Sequence, residues 1–346
     1  MMTAKTLVIA PAWVGDLVMS QPLIERLAQS DPGGKVDLLA PTWTAGLCAR
    51  LPGAGKCIPS PFVHGALLLG ARRRLGRSLT AHGYQRAYVL PNSFKSALIP
   101  WFAGIPQRIG YRGEFRYGLL SEARLLNKQA LPRMVDRYFA LGLPRGAPVA
   151  APDPRLVPDR SNGHITRLRL GLTGLEAPLI LCPGAEFGPA KRWPARHFAQ
   201  IARAMLPLGR PVWILGGAKD QAVAEEIRAH DAFHAINLCG RTSLAEAVDL
   251  MSLSAGVVTN DSGLMHVAAA LGVPTVALFG SSSARFTPPL SARATALSLD
   301  LACSPCFRRE CPLGHLDCLE KLQPAQVLAA LDALQGGHVS VSTREL

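Results

Sequence analysis

Residues 256–283 read GVVTNDSGLMHVAAALGVPTVALFGSSS. Two short apolar, β-branched runs, at 257–259 and 275–279, have the composition of strands buried on both faces of a parallel sheet. Between them 264–271 is Ala-rich, which suits a helix, and Gly272 and Pro274 end it. The turn Asn260-Asp261-Ser262-Gly263 therefore falls where a strand gives way to a helix. Asp261 or Ser262 can cap that helix, and Gly263 lets a ligand approach the backbone closely. Free amides at such a start, helped by the helix dipole, attract phosphate. An ordinary capped helix in an α/β protein carries the same turn, so the turn alone does not separate scaffold from site.

A second stretch does separate them. CPGAEFGPAKRWP at 182–194 follows the apolar run 179–181 and sets Lys191 and Arg192 behind a Gly/Pro-rich loop. With WVGD at 13–16, PNSFKSALIPWFAGIP at 91–106 and FTPPLS at 286–291, these stretches span the whole chain. Together they resemble the ADP-heptose-dependent glycosyltransferases of family 9, the lipopolysaccharide heptosyltransferases. The resemblance implies transfer of heptose from ADP-L-glycero-D-manno-heptose to the heptose-I residue of heptosyl-Kdo2-lipid A in the lipopolysaccharide inner core.

Composition agrees with a soluble α/β protein. A chain of 346 residues suggests two domains, each long enough to bury its own core. Hydrophobic residues make up 49% and aromatics 6%, which points to Ala/Leu/Val packing. No apolar stretch approaches the roughly 20 residues that cross a bilayer. The start, MMTAKTLVIAPAW, reads as a first strand and lacks the pattern of a signal peptide, so a cytoplasmic location is expected.

The net charge of +13 is uneven. Residues 1–160 carry 21 Lys+Arg against 9 Asp+Glu, whereas 161–346 carry 16 against 15. Within the first half, 72–137 hold 13 basic and 3 acidic side chains. Such a field favours an anionic partner: nucleic acid, an acidic membrane surface or a phosphorylated substrate. An Arg-rich surface set by genomic base composition gives the same count. Nucleic acid would call for aromatics interleaved with the basic residues. Tyr111, Phe115 and Tyr117 among Arg108, Arg112 and Arg116 meet that only modestly, and no RRM, KH or helix-turn-helix signature is present, so no nucleic acid is expected.

In chain order, strands are expected at 6–10, 36–39 and 87–90, with helices from about 16 to 29, kinked or restarted at Pro22, and from 96 to 102. The Pro-rich run 144–164 reads as the interdomain connection, with the linker proper at 151–164. A second series follows: strands at 179–182, 212–215 and 236–238, with helices at 197–206, 221–230 and 244–253. The 256–283 unit comes next, and a last helix covers 324–334. These patterns imply two doubly wound, Rossmann-like domains, 1–150 and 165–322, facing each other across a cleft. The resemblance names this the GT-B fold. It implies an acceptor-binding first domain, an ADP-heptose-binding second domain, and a C-terminal helix and tail (323–346) that packs back on the first.

Sugar transfer from a nucleoside diphosphate needs a base for the acceptor hydroxyl and donors for the departing diphosphate. Asp16 follows a strand at a helix start, where the dipole favours its ionised form. Its bland reading is an N-cap, but the family's catalytic base is the Asp of this motif, with Trp13 and Gly15 shaping the loop around the sugar. Lys191, Arg192 and the amides of Ser262, Gly263 and Leu264 suit the diphosphate. Asp261 and His266, one turn on, suit the donor sugar. By their place in the family pattern, Thr242 and Ser243 should lie near adenine and ribose, and Asp220 is a further ribose candidate; Thr242 also suits an N-cap. Arg72, Arg73, Arg74, Arg108 and Arg112 are candidates for the anionic acceptor, through bidentate guanidinium contacts. One carboxylate suggests inverting direct displacement, and its separation from the phosphate binders implies domain closure. A nucleotide-sugar epimerase could share the fold, but none of that family's motifs are recognised here.

No Asp-x-Asp pair of the kind that anchors a metal-bound nucleotide sugar is present, so no essential metal is expected, with Mg²⁺ at most a stimulant. Cys303, Cys306, Cys311 and Cys318 cluster around His315. Their C-x2-C start resembles a zinc pair, but C-x2-C-x4-C-x6-C is not a standard ribbon or finger, and reduced packing thiols are the expectation. The expected partners are ADP-heptose, the lipid-linked acceptor and the anionic inner face of the cytoplasmic membrane.

Overall fold

Short apolar runs bounded by Gly, Pro and polar turns become the inner strands of two parallel sheets. In the computed structural model, which describes residues 5–31, 33–62, 65–172, 174, 176–231 and 234–336, the chain divides into units Met1–Val157 and Pro158–Leu346. The first sheet contains β1 (Thr6–Ile9), β2 (Val36–Pro41), β3 (Ala54–Ser60), β4 (Arg86–Val89), β5 (Gln107–Tyr111) and β6 (Glu122–Arg124). The second contains β7 (Leu179–Cys182), β8 (Val212–Ile214), β9 (Ile236–Asn237), β10 (Gly256–Asn260), β11 (Thr275–Phe279) and β12 (Ala294–Ser298).

The sheets run β3-β2-β1-β4-β5-β6 and β12-β11-β10-β7-β8-β9. Numbered within its own unit, each is the doubly wound order 3-2-1-4-5-6. The order therefore reverses between β1 and β4 in the first unit and between β7 and β10 in the second. Ligands of open α/β sheets bind beyond the strand carboxyl ends at this reversal. The inner strands β1, β7, β10 and β11 are buried along their whole length. The edges β3, β6 and β12 are mostly half-buried; lacking a clean period, they and β5 escape the sequence reading.

The helix expected over 16–29 does restart at Pro22: it is two helices, Val14–Met19 and Gln21–Gln29, the second with Pro22 in its first turn, parted at buried Ser20, whose hydroxyl donates to the Leu17 carbonyl at 2.7 Å. Two expectations are corrected. The linker is shorter than 151–164, because Arg160–Arg169 is a helix capped by Asp159. Buried Asp249 holds its start by accepting from Asp159 N (2.8 Å) and Asn162 Nδ2 (2.7 Å). Gly163 permits that approach: a Cβ there would sit 2.8 Å from the Asp249 carbonyl oxygen. The C-terminal helix, Pro324–Leu334, belongs to the second unit, where Val327, Leu328 and Leu331 are part of the core. The tail expected to accompany it, 337–346, lies outside the described residues.

Candidate active site

In the first unit the loops after β1 and β4 border one cavity of about 490 Å³. Asp16, Trp13, Asn92, Ser93, Lys95 and Tyr138 are among its lining residues. Asp16 is not a cap, because Trp13 holds the N-cap position and Asp16 stands in the first turn of Val14–Met19. Tyr138 Oη donates to Asp16 Oδ1 at 3.2 Å. Burial pushes the Asp16 carboxyl up to about 6, against that hydrogen bond, which pulls the other way. The expected dipole effect is thus outweighed: the helix has only six residues, and desolvation penalises the charge. Such a carboxylate accepts a proton readily near neutral pH. Trp13 is 49% exposed and Gly15 is buried.

The arginines separate into two kinds. Arg72 is buried; it donates to the carbonyls of Leu67 (2.6 Å), Lys95 (3.3 Å) and Ala66 (3.4 Å) and lies 4.1 Å from the Phe62 ring centre. Arg108 donates to the carbonyls of Leu119 (2.6 Å) and Ile105 (2.5 Å). Arg116 is buried on the carbonyls of Pro91 (2.6 Å) and Tyr111, which orders the loop at the cavity. The expected basic face is corrected accordingly: Arg72 and Arg108 spend donors on the backbone, while Arg73, Arg74 and Arg112 are exposed. Arg72 still borders the cavity.

In the second unit the two loops at the order reversal are cross-braced by buried Asn260. Its Nδ2 donates to the Pro183 carbonyl (2.7 Å) and its Oδ1 accepts from Trp193 N (3.1 Å). The brace sets Lys191 Nζ 2.5 Å from Asp261 Oδ2, to which Ser282 Oγ also donates at 2.5 Å. Asp261 therefore holds Lys191 and does not cap the helix. Ser262 takes the N-cap position of Gly263–Ala270 without a side-chain cap bond, which leaves this helix start available to an anion. His266 is buried, and desolvation pushes its imidazole down to about 4 despite the nearby Asp261 charge. It is neutral at physiological pH.

The remaining expected contacts are set by local structure. Arg192 is exposed. Ser243, rather than Thr242, is the N-cap of Leu244–Met251, in a reciprocal capping box with Glu246. Asp220 accepts from Gly217 N (2.9 Å) and packs where a Cβ on Gly184 or Gly216 would collide with it. Burial raises its carboxyl above the usual range. The cysteines at 303, 306, 311 and 318, with His315, border one small cavity. Among the described residues no three His, Cys, Asp or Glu side chains are grouped to hold a metal ion.

Tyr138 and Ser282 were not foreseen. Tyr138 lies 122 residues from its carboxylate partner, so no local pattern could have found it. Ser282 sits inside the quoted 256–283 stretch, but only the fold turns its hydroxyl onto Asp261.

Comparison with known proteins identifies the family and the fold. The chain is 46% identical over 342 residues to lipopolysaccharide heptosyltransferase 2 of Escherichia coli K12, covering 95% of this chain and 98% of the relative. It is 47% identical over 341 residues to the protein of that name from Salmonella typhimurium, with the same coverage. The structure of E. coli ADP-heptose LPS heptosyltransferase II superposes with a TM-score of 0.86 at 43% identity, covering 96% of this chain and 98% of that one. The family model for glycosyltransferase family 9 (heptosyltransferase) matches residues 72–317, and the chain belongs to that family.

Proposed function

We propose that this chain transfers heptose from ADP-L-glycero-D-manno-heptose to the heptose-I residue of heptosyl-Kdo2-lipid A, by direct displacement with inversion. The names of its relatives, lipopolysaccharide heptosyltransferase 2 and ADP-heptose LPS heptosyltransferase II, support heptose transfer from ADP-heptose to lipopolysaccharide. The observation that carries the assignment of roles is that both sheet reversals hold the groups this chemistry requires. One holds a carboxylate with its pKa raised to about 6; the other holds Lys191 beside an uncapped helix start.

Asp16 takes the proton of the acceptor hydroxyl as its oxygen attacks the anomeric carbon. The new glycosidic bond forms while the bond to the β-phosphate oxygen breaks, and ADP departs with that electron pair. Lys191 and the amides of Ser262, Gly263 and Leu264 stabilise the charge growing on the diphosphate. Arg192, exposed nearby in sequence, adds to that field. Asp261 and His266 meet the heptose, while Thr242, Ser243 and Asp220 lie toward the nucleoside. Trp13, Gly15, Arg73, Arg74 and Arg112 serve the acceptor. Lys191 and the amides supply the charge a metal would, so transfer proceeds in EDTA and Mg²⁺ at most stimulates it.

The enzyme works at the cytoplasmic face of the membrane that carries its acceptor. No helix among the described residues is long and apolar enough to cross a membrane. The deciding experiment incubates the enzyme with ADP-heptose and heptosyl-Kdo2-lipid A and weighs the product. One added heptose is expected. Hydrolysis of the donor without an increase in acceptor mass overturns the reading.

A further inference from the structure

The start of the helix Leu69–Leu79 and the two residues before it present three leucines to solvent. Leu67, Leu68 and Leu69 are 48%, 52% and 50% exposed, and Phe94, opening the helix Phe94–Phe102, is 38% exposed. Arg72 joins the two helix starts, donating to carbonyls of Ala66 and Leu67 on one side and of Lys95 on the other. The leucines and Phe94 therefore occupy one end of this helix pair. Arg72, Ser93 and Lys95 at that end also border the 490 Å³ cavity.

Leu68 has a left-handed backbone (φ 43°, ψ 52°), a conformation L-residues other than Asn and Asp seldom adopt. Its side chain gains little from packing, so neither the backbone nor the core accounts for a leucine there. Outlying backbone of this kind points toward function. Along the sequence that flanks it the charge has one sign. Between Asp37 and Glu114 the sequence contains no acidic residue and ten Lys+Arg. Arg73, Arg74 and Arg77 follow the leucines and are exposed. Glu114, the acid that reaches this end, accepts from Phe94 N at 2.8 Å.

We propose that Leu67, Leu68, Leu69 and Phe94 insert among the headgroups of an anionic bilayer while Arg73, Arg74 and Arg77 meet its phosphates. Exposed apolar side chains bordered by exposed arginines match a surface that is apolar below and anionic above. Docked this way, the first unit holds the rim of its cavity at the lipid surface, where the saccharide of a lipid-linked acceptor is found. The last step rests on the proposed acceptor; the docking itself does not.

The test is co-sedimentation of the full-length protein, without donor or acceptor, with phosphatidylethanolamine/phosphatidylglycerol vesicles (7:3) and with pure phosphatidylcholine vesicles. The parent should bind the anionic vesicles preferentially. Leu67→Ser/Leu68→Ser/Leu69→Ser should bind them at least tenfold more weakly, with an unchanged melting temperature and unchanged turnover of a de-acylated, water-soluble acceptor. Arg73→Ser/Arg74→Ser should lose the preference for anionic over neutral vesicles. A parent that ignores vesicles, or a folded leucine variant that binds them as the parent does, overturns the proposal; a patch reserved for another protein would give those results. If heptose transfer fails while the leucine variant still loses vesicle binding, the reaction assignment falls and the docking surface stands.

Discussion

Asp16 is where chemistry and stability oppose each other. A carboxyl with an ordinary value of 3.8 is held at about 6 by burial, so the folded state binds its proton more tightly than the unfolded state does. Stability is then lost as pH rises between those two values and stays lost above them. A rise of that size corresponds to about 3 kcal/mol. Asp16→Asn should therefore abolish transfer, leave ADP-heptose binding largely intact, and melt higher than the parent at pH 8, with the gain shrinking as pH falls from 6 toward 4. A variant that turns over normally would make Asp16 a scaffold residue. In the parent, kcat/KM should fall on the acid side with an apparent pKa near 6. Tyr138→Phe removes the hydrogen bond that lowers this value, so it should shift the limb to higher pH. A limb at the same pH in both proteins would detach Tyr138 from the base. At the second reversal Lys191→Ala deletes a charge-assisted contact, and ADP should bind roughly 10- to 100-fold more weakly by calorimetry. An unchanged affinity would place Lys191 outside the donor site.

At the scale of elements, what was legible was local. Strand, turn and helix over 256–283 could be read because apolar runs, Gly263 and Gly272-Val273-Pro274 act within a few residues of one another. The capping box at Ser243 and Glu246 was equally local, though the reading placed the cap one residue early. The run Arg72-Arg73-Arg74 shows the limit. Composition makes the three equivalent, but in the helix Leu69–Leu79 the buried positions are Arg72, Gly76 and Leu79. That spacing is one helical face, and it turns the first arginine inward against the Lys95 carbonyl of a neighbouring helix and the Ala66 and Leu67 carbonyls of its own lead-in segment. Gly76 is required there, because a Cβ would stand 2.5 Å from that of Phe102. Sequence registers the charges; the packing partner decides which of them face outward. Arg72→Ser should accordingly cost about 2–3 kcal/mol through its lost carbonyl bonds and ring contact. Arg73→Ser/Arg74→Ser should leave the melting temperature within a degree or two and raise only the acceptor KM. Equal destabilisation by both would contradict the division of the arginines.

Across the whole molecule, one strand order is used twice, and each reversal carries the groups proposed for a different half of the chemistry. The charge is divided in the same way: 21 basic against 9 acidic residues up to position 160, then 16 against 15. The proposed acceptor bears several carboxylates and phosphates, whereas the donor bears one diphosphate. The first unit's excess should therefore act mainly on the acceptor, over distances of the order of the Debye length, which shrinks from about 10 Å at 0.1 M salt to about 3 Å at 1 M. Inward-facing Arg72, Arg108 and Arg116 are fixed by short carbonyl contacts. Arg73, Arg74 and Arg77 are exposed and are the screenable part of the field. With a de-acylated acceptor that keeps its anionic groups, and no vesicles present, raising salt should increase the acceptor KM several-fold and the donor KM much less. Arg73→Ser/Arg74→Ser/Arg77→Ser should begin with the higher acceptor KM and respond less to added salt. Equal salt slopes for the two substrates, or an unaltered slope in the triple variant, would mean that the basic half does not steer the acceptor.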